Sequence, residues 1–366
     1  MSAKRLEAVR RIAVVRANGI GDYCFAVPAL AALRAAYPDA EIVLLGKRWH
    51  AEFLTGRPGP VDRVVVVPPY VGVSAEPGDP VDSDAQERFF AAMQAERFDI
   101  ALQLHGGGRY SNPFTRRLGA RYTAGLRTPD AAPLDAAIPH VYFQHEVARY
   151  LEVVALVGAR PLTLEPEIAV TEADRAELAP LGLDPNAPLV VLHPGATDPR
   201  RHWPPEKFAA VGRALASRGA RIAVIGTGPE RELARRLRER LVVPALDVCD
   251  RLSLGGLAAL LAASRLVVSN DSGPLHLAAA VGAATVGIFW CGNLINGGPL
   301  TRSRHRPFIS WRLDCPVCGR NTLHDNCTHR ASFVADIPEE DVVEAALALY
   351  DAEADRAAAR SASALA

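Results

Sequence analysis

Short apolar runs recur along the chain, and most are followed by a stretch whose apolar residues fall at helical spacing. RIAVVRA (11–17), EIVLLGK (41–47), RVVVVP (63–68) and DIALQLHG (99–106) read as strands. DYCFAVPALAALRAAYP (22–38), ERFFAAMQAER (87–97) and HEVARYLEVVALVGA (145–159) read as helices. The strand runs are unbroken rather than alternating. A strand with one wet face alternates; a strand covered on both faces does not. The pattern therefore predicts a parallel sheet with helices on both sides.

The same pattern restarts after a proline-rich passage, LAPLGLDPNAP (178–188). LVVLHPG (189–195), RIAVIGTG (221–228), LVVSN (266–270) and ATVGIF (284–289) are the predicted strands. PEKFAAVGRALASRG (205–219), PERELARRLRERL (229–241) and LSLGGLAALLAAS (252–264) are the predicted helices between them. Two successive βα series predict two doubly wound α/β domains. Their expected limits are 1–170 and 171–345. A last helix, from Pro338, is expected to end in a frayed Ser/Ala tail, residues 346–366 holding the helix end and that tail, and by analogy alone to cross back to the first domain.

Composition narrows the classes. A length of 366 residues suits two domains of ordinary size. Lys plus Arg and Asp plus Glu both total 41, so the broad basic footprint of a nucleic-acid binder is missing. The apolar stretch at the start is too short for a leader, and no run approaches the length of a spanning helix. The expectation is a soluble cytoplasmic protein.

Ligands of doubly wound domains sit beyond the carboxyl ends of the strands, so the βα turns carry the candidate chemistry. In RANGIGDYC (16–24), two glycines leave the strand and Asp22 stands at the helix start. It is either an N-terminal cap or a carboxylate aimed into a cleft; on these residues alone capping is the simpler reading. HPGATDPRRHWPP (193–205) offers the Thr197 hydroxyl and the cations of Arg200 and Arg201, a set suited to phosphate or to a solvated loop. In GTGPERE (226–232), Glu230 is either a first-turn acid or an acceptor for ribose hydroxyls. SNDSGPLHLAAA (269–280) places Asp271, Ser272, Gly273 and His276 where a strand turns into a helix of small residues. Free amides and the helix dipole there favour an anion such as a diphosphate. Neither glycine-rich turn has the full dinucleotide fingerprint, which weighs against a nicotinamide oxidoreductase.

Taken together, GIGDYCFAVPAL, HPGA followed by RRHWP, GTGPERE, LSLGGLAALLAAS and SNDSGPLHLAAAVGAATVGIF resemble glycosyltransferase family nine, the bacterial heptosyltransferases. The resemblance spans nearly the whole chain and is weakest between Pro68 and Pro139. It implies a GT-B fold, with two Rossmann-like domains facing across a cleft. The first would take the acceptor and the second the nucleotide sugar. It further implies inverting, metal-independent transfer of a heptose from an ADP-activated sugar to the inner core of lipopolysaccharide, with no cofactor. By position it makes Asp22 the catalytic carboxylate. Thr197 and Arg201 would serve the donor diphosphate, Glu230 the ribose and Leu252 the adenine. Asp271, Ser272, Gly273 and His276 would form the rest of the donor site. Arg201 stands where the family usually has lysine. Another nucleotide sugar or acceptor, or a non-catalytic binding protein of the same fold, stays open as an alternative.

Of six cysteines, Cys24, Cys249 and Cys291 are scattered, while Cys315, Cys318 and Cys327 cluster with His324 and His329 nearby. This is no secreted disulfide framework. The cluster is read as a reduced, metal-free loop, with a structural zinc on Cys315, Cys318, Cys327 and His324 as the alternative.

Overall fold

In a computed structural model, which describes residues 5–184, 187–322 and 327–364, the chain forms two compact units, Met1–Ala169 and Val170–Ala366. Each is built on a six-stranded, wholly parallel sheet.

The first sheet has strands β1 (Arg11–Val15), β2 (Glu41–Gly46), β3 (Arg63–Val66), β4 (Ile100–Gln103), β5 (Tyr122–Arg127) and β6 (Ala136–Pro139), in the order β3-β2-β1-β4-β5-β6. The second has β7 (Leu189–His193), β8 (Arg221–Val224), β9 (Ala245–Asp247), β10 (Leu266–Asn270), β11 (Thr285–Trp290) and β12 (His305–Ser310), in the order β12-β11-β10-β7-β8-β9. The doubly wound α/β class expected from the pattern is the class observed. Central strands such as β1, β4, β7 and β10 are buried almost end to end, which is why they read as unbroken apolar runs.

Four strands escape that reading. β6, β9 and β12 are edge strands with half-buried residues and few aliphatic side chains. β5 is buried, but Thr123 and Gly125 break its apolar run. Gly125 is required there: a Cβ would stand 2.6 Å from Cβ of Gln103 on the neighbouring strand.

Apolar side chains between sheet and helices form the cores. One cluster in the first unit joins Val15, Leu45, Phe90, Phe98 and Phe114. In the second, Val190, Trp203, Phe208, Leu237 and Val268 pack together. The last helix, Glu339–Ala364, adds Val342, Ala346, Leu349 and Tyr350 to that second cluster and packs on the helix Pro205–Ala216. These four apolar residues of the helix pack within the second unit. The helix continues through Ala364, and the last two residues of the tail lie outside the described residues.

Strand order fixes where ligands can enter. In the first sheet it reverses between β1 and β4, in the second between β7 and β10. Such switch points leave a crevice at the carboxyl ends of the strands. Three of the four charged or glycine-rich turns singled out in the sequence, those after β1, β7 and β10, lie at these switch points.

Candidate functional site

In the first unit, β1 ends at Val15 and the helix Ile20–Ala36 begins after Gly19. Asp22 sits in the first turn. One oxygen, Oδ2, accepts the Gly19 amide at 3.1 Å. The other, Oδ1, accepts Nη2 of Arg16 at 3.0 Å. The capping role is therefore real, but the carboxylate is also ion-paired, and its side chain remains 43% exposed.

Arg16 lies beneath it. Its Nε donates to the Asp22 carbonyl at 3.2 Å and its Nη1 to the Leu104 carbonyl at 2.8 Å. The guanidinium lies over the Tyr150 ring and 3.6 Å from Oε2 of Glu146, at the start of the helix Glu146–Ala155. Tyr150 donates its hydroxyl to that same Glu146 oxygen, and Arg149 pairs with the other. Burial raises the Glu146 pKa, and Arg16 and Arg149 offset only part of that. His105, after β4, accepts the Ala17 amide on Nδ1 at 3.3 Å. Burial, helped by the charge of Arg16, pushes it down to about 3, so it is neutral at physiological pH. A cavity of about 360 Å³ opens at this switch point, lined among others by Asn18, His105, Arg109, Thr128 and His140.

In the second unit the pieces converge from three loops. Asp271 follows β10 and is almost fully buried. Its Oδ2 accepts Nη1 of Arg201 at 3.1 Å and Nδ2 of Asn293 at 2.6 Å. Its Oδ1 bonds Nε2 of His276 at 3.0 Å. Burial opposes the charge of Asp271, yet His276, Arg201 and Asn293 together hold its pKa below the usual carboxylate value. Neighbouring Asn270 ties the loops together: its Oδ1 accepts the Trp203 amide at 3.0 Å, and its Nδ2 donates to the Pro194 carbonyl at 2.6 Å. Ser272 stands at the N-cap position of the helix Gly273–Ala280 without a side-chain hydrogen bond to it; Pro274 carries no amide hydrogen, and the Leu275 amide donates to the Ser272 carbonyl at 3.1 Å.

His193, the last residue of β7, links this corner to the turn after β8. Its Nδ1 lies 3.1 Å from the Ser272 hydroxyl, and its Nε2 lies 3.4 Å from Oε1 of Glu230. Oε2 of Glu230 accepts the Thr227 amide at 2.8 Å. Burial opposes the charge of Glu230, but His193 and the Thr227 donors hold its pKa down to about 2. Gly195 allows this approach, since a Cβ there would stand 2.0 Å from Oε1 of Glu230. Thr197 is exposed on the loop after β7. Leu252 is half-buried on the loop after β9, which the Asp250 amide joins to the Gly226 carbonyl at 3.1 Å.

Thus Arg201, Asp271, Ser272, Gly273 and His276 form one corner, and Glu230 reaches it through His193. Several members were not apparent as site residues in the sequence. Arg16 and His193 carry one usable signal, a charged or polar side chain closing an otherwise apolar strand. Glu146 and Asn293 carry none, because they come from helices with ordinary patterns. Cys315, Cys318, Cys327 and His329 gather in the segment after β12. His324, the ligand expected from spacing, lies outside the described residues.

Each of the two doubly wound units thus carries an acid–arginine pair at its switch point, where ligands of such sheets bind. Residues 87–358 match the sequence profile of glycosyltransferase family 9 (heptosyltransferase), and the chain belongs to that family. It is 30% identical over 338 residues to lipopolysaccharide heptosyltransferase 1 of Pseudomonas aeruginosa, covering 90% of this chain and 92% of the relative. Among solved structures it resembles the family 9 glycosyltransferase of Veillonella parvula, with a TM-score of 0.77, 20% identity, and 96% and 99% of the two chains covered. It also resembles ADP-heptose lps heptosyltransferase II of E. coli, with a TM-score of 0.72, 19% identity, and 94% and 99% covered.

Proposed function

We propose that this chain transfers a heptose from an ADP-activated sugar to a hydroxyl of the lipopolysaccharide inner core, with inversion at the anomeric carbon. The first unit takes the acceptor and the second the donor. The observation that carries the reading is the pair of corners: a carboxylate left exposed over a buried arginine, and a cation left partly exposed over a buried carboxylate. Heptose and lipopolysaccharide enter through the similarity to the Pseudomonas aeruginosa enzyme over nearly the whole chain.

In the reaction, Asp22 takes the proton of the attacking hydroxyl. The acceptor oxygen bonds the anomeric carbon as the bond to the diphosphate breaks from the opposite side. Negative charge then grows on the leaving diphosphate. Arg201 and the free amides at Ser272 and Gly273 meet that charge, an electrostatic role that needs no metal. Glu230 accepts from the ribose, and Leu252 lies against the adenine. His276, Asn293 and Asp271 keep Arg201 in place. On this reading the chain works in the cytoplasm and touches the inner membrane only peripherally; no helix among the described residues is long and apolar enough to cross a membrane.

The test is a donor screen. ADP-heptose, other ADP-sugars and UDP-sugars are each incubated with the protein, with and without a heptose-deficient core acceptor. ADP release that requires both ADP-heptose and acceptor is the expected result. Release from another nucleotide sugar alone, or release that ignores the acceptor, overturns the assignment.

A further inference from the structure

The mechanism makes no use of the cysteine cluster. Cys315 and Cys318 lie on a tight turn. The Cys315 amide donates to the Arg320 carbonyl and the Gly319 amide to the Cys315 carbonyl, both at 2.9 Å, and Gly319 has a φ of +69°. Asp314 and Asn321 pair across the base of the turn. Cys327 and His329 come back to face it. One ligand atom from each of the four residues lies within 4.8 Å of all the others. None of the three cysteines is in a disulfide. Nδ1 of His329 is buried and has no hydrogen-bond partner among the described residues. Three soft sulfurs and an imidazole nitrogen at the corners of a small polyhedron match the donor set of a closed tetrahedral zinc site.

The segment also touches the donor corner. At its start, the Arg312 carbonyl accepts Nε1 of Trp290, at the end of β11, at 2.6 Å. At its end, the Phe333 amide donates to the Arg200 carbonyl at 2.8 Å, and Arg330 lies 4.0 Å from Oδ1 of Asp198. The residue after Arg200 is Arg201.

We propose that Cys315, Cys318, Cys327 and His329 bind one structural Zn²⁺, which closes the 312–333 segment and so braces the 198–201 loop that holds Arg201 against Asp271. As the ion binds, three thiols release their protons to solvent and become thiolates, and the imidazole binds in its neutral form. All four positions around the ion are then filled by protein, so the site leaves no place for substrate. The alternative that ranked second in the sequence is the one these ligands favour, with His329 in the place given to His324.

Metal analysis of the full-length chain, purified without a histidine tag or chelator, should find about one zinc per chain. Cys318→Ser alters the exposed ligand; combined with Cys327→Ser it should lower that content at least about tenfold. Cobalt substituted for zinc should show the thiolate charge-transfer and visible bands of a tetrahedral sulfur site, a readout that needs no variant to fold. Stripping the zinc should speed hydrogen exchange at the Phe333 amide while the centre of β7 stays protected. A metal-free chain that takes up no zinc, a disulfide within the cluster, iron in place of zinc, or zinc retained by the double variant overturns the site. Unchanged exchange at Phe333 overturns the bracing. None of these readouts depends on the identity of the donor or acceptor.

Discussion

The two switch points use one device in opposite senses. After β1, the arginine is buried and the acid exposed: the Arg16 side chain is 3% accessible, that of Asp22 43%. After β10, the acid is buried and the arginine reaches out: the Asp271 side chain is 6% accessible, that of Arg201 27%. A buried charge with several partners is fixed in place, because leaving it unpaired in a dry site is costly. Its exposed partner is aimed by it and stays free to meet a ligand. In the proposed reaction the first corner would present the proton acceptor, and the second the cation for leaving-group charge. The exposed member of each pair predicts what that unit does.

The largest effect should come from the exposed acid. Asp22→Asn keeps the shape and the helix start but removes the base, so turnover should fall by roughly a hundred- to ten-thousand-fold. ADP affinity should hardly change, because the nucleotide is assigned to the other unit. Steady-state rates with calorimetric ADP binding decide it; near-normal turnover would leave Asp22 as a cap and break the comparison at its first member.

The buried members should matter next, and for folding. Arg16→Met leaves Asp22 and the Leu104 carbonyl without their cation and Glu146 with Arg149 alone, and Asp271→Ala strands Arg201, His276 and Asn293. Each should cost about 3–5 kcal/mol in denaturant unfolding, the usual range for breaking a buried pair. The exposed partners should cost far less, since Arg16 keeps Glu146 when Asp22 is changed, and Asp271 keeps His276 and Asn293 when Arg201 is changed. Equal losses for both members of either pair would show that exposure does not separate the roles.

Arg201→Ala comes third. A charge-assisted hydrogen bond contributes about 1.5–3 kcal/mol, so ADP binding should weaken about ten- to a hundred-fold, and transfer should slow as well. Arg201→Lys should recover part of this, because the charge returns but the fork does not. Adenosine binding should barely move. Calorimetry with ADP and with adenosine separates the cases: equal losses would mean that Arg201 supports the loop or the base site instead of the phosphates.

What the sequence showed of these corners follows from how each contact is made. Local turns are legible because a strand end, a glycine and a polar residue at a helix start lie within a few positions of one another; Asp22 with Gly19, and Asp271 with Ser272 and Gly273, are of that kind. The pairing of Arg201 with Asp271 spans 70 positions, and that of Arg16 with Glu146 spans 130, as read from their numbers. Periodicity carries no record of either. The exchange of exposure between the two pairs is likewise a property of packing. The strand reading failed for the same reason at β6, β9 and β12, where pairing at a sheet edge needs little burial and leaves little apolar pattern.

The smallest effect concerns acid, and it again separates the two units. Burial pushes His50 and His105 of the first unit down to about 3, from an ordinary value near 6.5. Folded, they stay neutral; unfolded, they take up protons as the pH drops below 6.5. Their contribution is therefore complete above that value and is lost as the pH falls from 6.5 towards 3, so the first unit weakens on mild acidification. Glu146 works in the other direction, since its raised pKa makes protonation easier in the folded unit. In the second unit, Glu230 and Asp271 have depressed values, so their support is lost only as the pH falls below the carboxylate range. Between pH 7 and 6 the first unit should lose about 1 kcal/mol and the second almost nothing. Pulse proteolysis across a urea gradient at both pH values, with fragments assigned by mass, reads the two midpoints separately. His50→Gln and His105→Gln should each flatten the first unit's response, even if they lower its stability at both pH values. A shift of equal size in the second unit would mean that the two corners share one acid response, and the contrast between a histidine-limited unit and a carboxylate-limited one would be lost.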